Sequence, residues 1–270
     1  MAVEWSNGFK AVRPLPRHPN NPTSRLAIVP LDHGVHDGPI PGLIDLGGAL
    51  DFLVAEGVDG VVLHKGMIER YRDRLRTIPV WLHLSASSHL GRWPLKKVLV
   101  AAPDEAMELG ASGVSMHVNL GNEHEPDMLS DLGTVATQCR RLQLPLLAMM
   151  YVRHMRFGRV VNVTDFRALA HAARVAAELG ASVVKVPYTG DPGSFSTVTS
   201  GCPVPVVIAG GAHQPANDPN NVLDMIKGAI EAGAAGISMG RNIFQDPKPC
   251  SMLQKVKGLV YGLNASDISK

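Results

Sequence analysis

Four segments of this 270-residue chain repeat one pattern. They are "EGVDGVVLHK" (56–65), "ELGASGVSMHV" (108–118), "ELGASVVKVPY" (178–188) and "EAGAAGISMGR" (231–241). Each reads as the end of an amphipathic helix, then a glycine, then a strand rich in β-branched residues. A glycine at that point can take the left-handed conformation that stops a helix. The four glycines, Gly57, Gly110, Gly180 and Gly233, follow one another at intervals of 53, 70 and 53 residues. One βα unit takes about 30 residues, so each interval has room for one more strand.

Those strands are visible. "VWLHLS" (80–85), "LLAMMYV" (146–152) and "VVIAGG" (206–211) fill the three intervals, and "LAIVPLD" (26–32) precedes the first repeat. The eight strands alternate with helical stretches near 42–56, 66–74, 103–109, 127–143, 165–179, 192–200, 219–232 and 249–262. Near-continuous apolar strands in βα alternation mean a parallel sheet covered by helices. Eight units predict an α/β protein, a single-domain (β/α)8 TIM barrel over 25–265. The rival, an open doubly wound sheet, normally has a glycine-rich turn after its first strand. "PLDHGVHDGP" does not match G-x-G-x-x-G. Residues 1–24 hold Pro14, Pro16, Pro19 and Pro22 and predict an N-terminal extended arm, packed on the body or on a neighbouring subunit.

Composition narrows the partners. Hydrophobic residues make up 45% of the chain and the net charge is +2, so a large core is available. No basic run points to nucleic acid or a membrane surface. The first 25 residues do not read as a secretory leader, and no segment approaches bilayer-spanning length. Cys139, Cys202 and Cys250 have no metal-like spacing, which fits a reducing, cytoplasmic compartment.

Barrel enzymes carry their chemistry at the carboxyl ends of the strands. Lys185 is the sharpest feature there, because it interrupts the apolar strand "SVVKVPY". Desolvation disfavours an ammonium, and a neutral amine attacks a ketone to form an iminium, the electron sink for work on an adjacent carbon–carbon bond. The competing reading is a lysine whose stem packs while its head finds a carboxylate. Tyr151 ends "LLAMMY" and could act as a proton donor or as an ordinary core tyrosine. Asp32 ends "AIVPLD" and could cap a turn or orient the lysine and move protons. Gly210–Gly211 and Gly240–Arg241 end the seventh and eighth strands, where barrels bind phosphate. Backbone N–H groups and Arg241 suit such an anion. His33, His64, His83 and His117 lie on or beside the first four strands. They could bind substrate hydroxyls, with His33 and His117 as the expected contacts. They could also gather a zinc ion, but no compact spacing supports a metal. The basic run Arg153, His154, Arg156 and Arg159 reads as a solvated loop that could meet an anionic substrate.

Together "PLDHGVHDGPIPGL", "VVLHKGMI", "PLKKVLV", "GVSMHVNLG", "LAMMY", "VVKVPYTG", "VPVVIAGG" and "GISMGRNIFQ" resemble a family. It is the class I aldolases of the archaeal-type fructose-bisphosphate aldolase and 2-amino-3,7-dideoxy-D-threo-hept-6-ulosonate synthase group. The resemblance runs in order from about Arg25 to Gln245, and "SMHVNLG" and "MMY" lean toward the heptulosonate branch. It implies that Lys185 forms the Schiff base, Tyr151 donates protons and Asp32 is the acid/base partner. It places the donor's phosphate at 210–211 and 240–241, with no metal or other cofactor. It further implies a homo-oligomer and L-aspartate 4-semialdehyde as acceptor. An excess of Arg over Lys favours the bacterial type. That type uses dihydroxyacetone phosphate and gives 2-amino-4,5-dihydroxy-6-oxo-7-(phosphooxy)heptanoate for aminohydroxybenzoate synthesis. A flavin- or phosphometabolite-binding barrel without aldolase activity is the alternative of a different class. The chain departs from the family pattern after Tyr151, where "VRHMRFG" replaces Pro-Arg-Gly, and at Val186, where threonine is usual.

Overall fold

A computed structural model describes residues 13–18, 21, 23–212 and 219–263. The expected arm over 1–24 and the barrel's expected end at 265 lie partly outside the described residues. Eight strands form the framework: β1 Leu26–Pro30, β2 Gly60–Leu63, β3 Val80–His83, β4 Gly113–Leu120, β5 Leu146–Arg156, β6 Val183–Pro187, β7 Val206–Ala209 and β8 Gly236–Ser238. Each pairs in parallel with its neighbours, and β8 pairs with β1 (Ala27 opposite Ile237), which closes the barrel. A helix follows every strand, from Leu46–Glu56 after β1 to Pro249–Tyr261 after β8. The fold is therefore the TIM barrel that the repeat predicts. The glycines that mark the repeat all have positive φ, +68° at Gly57 and +90° at Gly233 among them. Among the described residues, no helix is long and apolar enough to cross a membrane.

Strand alternation divides the apolar residues into two cores. Ala27, Val29, Val61, Leu63, Val114, Met116, Val184 and Val186 face outward and pack under the helices. Leu26, Ile28, Val62, Trp81, Leu147, Met149, Val183 and Val207 face inward and fill the barrel. Trp81 is fully buried in the lower barrel. A Cβ on Gly60 or Gly113 would come within 2.7 Å of its indole ring, so both neighbouring strands must carry glycine there. Leu15 packs against this inner core. Asp59, just before β2, ties the same end together. Its carboxylate accepts hydrogen bonds from the N–H groups of His18 and Ala27, the Asn21 amide and the Tyr261 hydroxyl, at 2.7–2.9 Å.

Two local details differ from expectation. The basic stretch after Tyr151 is not a loop. β5 runs on to Arg156 and forms an antiparallel hairpin with Arg159–Val163, Arg153 opposite Asn162. The reason is the β-branched "RVVNV", which supplies a partner strand. A second small pairing, Ser85–Ala86 with Val98–Leu99, lies beyond β3.

Candidate active site

The inward alternation that ends in apolar residues at the bottom continues upward as polar ones. On β6, Val183 is followed inward by Lys185. On β5, Leu147 and Met149 lead to Tyr151 and Arg153; on β4, Ser115 leads to His117 and Asn119. Register fixes their heights: Met149 pairs with Lys185, His117 with Met149 and Tyr151 with Asn119. His83 ends β3, and Asp32 and His64 stand just past β1 and β2. Asp32, His64, His83, His117, Tyr151 and Lys185 line one cavity of about 270 Å³ together with His33, Lys97, Arg153 and Arg241.

Lys185 is 7% exposed. Among the described residues it pairs with no carboxylate, and its Nζ lies 3.9 Å from Met149 Sδ. A structural lysine would have its head in water or on a carboxylate; this one has neither. Asp32 is the acidic group nearest the centre. Burial works against its charge. The imidazoles of His83 and His33, the positive charge of Lys185 and His64 outweigh burial and hold the carboxyl well below the usual range. His83 Nε2 is 3.5 Å and His33 Nδ1 3.7 Å from its oxygens.

The histidines are neutral at physiological pH. Burial is the first cause for all of them. It pushes His83 down to about 3 and lowers His33, His64 and His117. Two of them are engaged by the protein, whereas His33 Nδ1 is buried without a hydrogen-bond partner among the described residues. His83 Nδ1 is 2.8 Å from Ser115 Oγ, and His117 Nε2 is 2.9 Å from Asn119 Oδ1. Among the described residues these four imidazoles do not gather as a metal-ligand group. With the histidines neutral, Lys97, Arg153, Lys185 and Arg241 give the cavity its positive charge, against Asp32 and Asp37. Such a cavity favours an anionic substrate.

Lys97 was not singled out by the sequence, although "PLKKVLV" displays it beside an apolar triplet. It is 7% exposed and donates to Ser87 Oγ at 2.6 Å. Burial, then Arg153, pushes it down to about 8. Arg153 lies over the Tyr151 ring at 4.1 Å and donates to Asn162 at 2.6 Å. The hairpin therefore sets Arg153, with Val160 and Asn162, in the wall of the site.

Close packing constrains two of the glycines expected to bind phosphate. Gly210, Gly211 and Gly240 are not among the residues that line the cavity, whereas Arg241 is. A Cβ on Gly240 would strike the Pro30 carbonyl and the Phe244 ring, and one on Gly210 would come within 2.7 Å of Met239 Cβ. Close packing thus accounts for both. Arg241 Nε is buried without a hydrogen-bond partner among the described residues, so this donor lacks an acceptor.

A closed barrel with a buried lysine, a carboxylate and a tyrosine at its carboxyl end defines a class of protein. Residues 26–246 match the model of the DeoC/LacD family aldolases, and the chain belongs to that family. It is a class I aldolase, an enzyme that makes or breaks carbon–carbon bonds. Among its relatives is the 2-amino-4,5-dihydroxy-6-oxo-7-(phosphonooxy)heptanoate synthase of Streptomyces griseus. The two are 40% identical over 251 residues, covering 90% of this chain and 87% of that one. The 2-amino-3,7-dideoxy-D-threo-hept-6-ulosonate synthase of Halobacterium salinarum is 38% identical, covering 88% of this chain and 87% of that one. An archaeal fructose-1,6-bisphosphate aldolase, solved with its catalytic lysine bound to a carbinolamine intermediate, superposes with a TM-score of 0.78. It is 32% identical and covers 88% of this chain and 95% of that one.

Proposed function

We propose that the enzyme joins dihydroxyacetone phosphate to L-aspartate 4-semialdehyde through a Schiff base on Lys185. The product is 2-amino-4,5-dihydroxy-6-oxo-7-(phosphooxy)heptanoate. The observation that carries this reading is the placement of Lys185. It is a buried, carboxylate-free amine in the wall of a cationic cavity shared with Asp32 and Tyr151. The similarity to the Streptomyces griseus synthase supports the choice of substrates.

In this reading the Lys185 amine attacks the donor's C2 carbonyl. Asp32 shuttles the proton from the attacking nitrogen to the carbinolamine oxygen. Tyr151 donates its proton to that hydroxyl, which leaves as water, and the iminium forms. The resulting phenolate, under the Arg153 guanidinium, takes a proton from C3 and gives the enamine. The enamine carbon attacks the aldehyde of the acceptor, whose oxygen is protonated by Tyr151. Water then hydrolyses the product iminium and frees Lys185. Asp32, kept ionised, is the counter-ion of the buried iminium. Arg241, with the backbone at 210–211 and 240, grips the phosphate, and the unfilled Nε supports this assignment. His33 and His117 bind substrate hydroxyls, and Lys97 and Arg153 hold the acceptor's carboxylate.

A reducing, cytoplasmic setting suits the three free cysteines. Self-association is part of the same proposal. Ile44, Leu90 and Phe157 are large apolar side chains on the surface and offer contact area; native mass spectrometry tests it.

Borohydride reduction with dihydroxyacetone phosphate, followed by peptide mass spectrometry, tests the chemistry. The expected result is one adduct, on Lys185. Unmodified Lys185 with turnover intact would refute the proposal. Product identification with the semialdehyde and each candidate keto-sugar phosphate then tests the donor.

A further inference from the structure

We propose that His36, Asp37 and His89 form a binding site for a late first-row divalent metal ion, such as zinc or cobalt, at the mouth of the barrel. The ligand atoms of the three side chains lie within 4.8 Å of one another. His36 and Asp37 belong to the single helical turn Gly34–Asp37 after β1. His89 belongs to the segment after β3. The His89 N–H donates to the His36 carbonyl at 3.1 Å and pins the two segments together.

The orientation of His36 is the main argument. Its Nδ1 is 3.1 Å from the Ser87 carbonyl oxygen. A carbonyl only accepts, so the tautomer that satisfies this contact carries its proton on Nδ1 and leaves the Nε2 lone pair free. A backbone carbonyl behind the far nitrogen is the device that fixes tautomer and ring direction in metal-bound histidines. The carboxylate and the second imidazole already converge, with Asp37 Oδ1 2.9 Å from His89 Nε2. The His36 and His89 rings are 3.9 Å apart between centroids.

Two imidazoles and one carboxylate select zinc, cobalt or nickel over magnesium or calcium. The metal takes the place of the proton between His89 Nε2 and Asp37, and that proton leaves to solvent. Lys97 does not occupy the position. It reaches Ser87 Oγ, which contacts His36 on its Nδ1 side. Three protein ligands leave room for water or another small ligand on the metal, and all three residues border the substrate cavity. The site stands apart from the lysine chemistry and does not depend on it.

Untagged full-length protein, stripped with a chelator and exchanged into clean buffer, is titrated with zinc by calorimetry. A parallel titration with cobalt(II) is followed by visible absorption. One equivalent per chain is expected, with bands of nitrogen- and oxygen-ligated cobalt. His89→Ala and Asp37→Asn should each weaken binding by at least about tenfold, and Lys185→Ala should bind as the parent does. The His89 side chain is 62% exposed, so its removal leaves the fold intact, which circular dichroism verifies. No saturable binding, or parental affinity in both ligand variants, would overturn the proposal.

Discussion

The two ends of the barrel are built on opposite rules. The lower end is held by close packing and by pairing: Trp81 occupies the space that Gly60 and Gly113 leave, although its Nε1 has no hydrogen-bond partner among the described residues, and Asp59 accepts four hydrogen bonds. At the upper end charges stand without partners. Lys185 lacks a carboxylate, Arg241 Nε lacks an acceptor and Lys97 has only a hydroxyl, among the described residues. Unmatched buried polar groups cost stability. The cations left in this way stand at the upper end, which suits that half to an anionic ligand, while the lower half holds the fold.

Substitutions can break that division. The largest effect is expected from Lys185→Met. Turnover should fall by about 10^4-fold or more, while the melting temperature holds or rises, because a buried polar amine is replaced by an apolar chain. Trp81→Ala should do the reverse. It should cost about 3–5 kcal/mol in chemical denaturation, with borohydride trapping on Lys185 retained in the folded fraction. Asp59→Ala strands four donors and should cost about 3 kcal/mol, again without changing which residue is trapped.

Smaller effects sharpen the assignment of the upper end. Tyr151→Phe should lower kcat about 100-fold, the lower bound for a lost proton donor, with little change in unfolding midpoint. Lys97 gives the smallest effect. If it holds the acceptor's carboxylate, KM for the acceptor should rise as pH climbs through about 8, where the ammonium is lost. Lys97→Met should flatten that profile. The same depressed value has a stability counterpart. Between about 8 in the fold and the ordinary lysine value of 10.5, the unfolded chain binds more protons. Stability from this residue therefore increases with pH across that window, and the increase should vanish in Lys97→Met.

Much of this was readable from the chain. The repeat glycines give the barrel because a left-handed helix end followed by a β-branched run is a local signal. Asp32, Tyr151 and Lys185 stand out because each is a polar residue at the end of an apolar strand. The basic run after Tyr151 misled because it spans both arms of a hairpin, and pairing with the strand Arg159–Val163 decides its conformation. The glycines at 210 and 240 read as anion-binding, and the structure adds that both are required by contacts with Met239 and Pro30. A glycine's role depends on what approaches it, which a sequence does not display.

The sequence by itself determined the eight-fold βα order and the inward face of each strand, because both follow from periodicity within a short segment. Only the tertiary structure decided that Lys97 and Arg153 stand in the same cavity as Lys185, that the histidines are neutral, and that His36, Asp37 and His89 meet. Those facts depend on register between strands and on burial. Both arise only when the barrel closes and distant segments exclude water from one another.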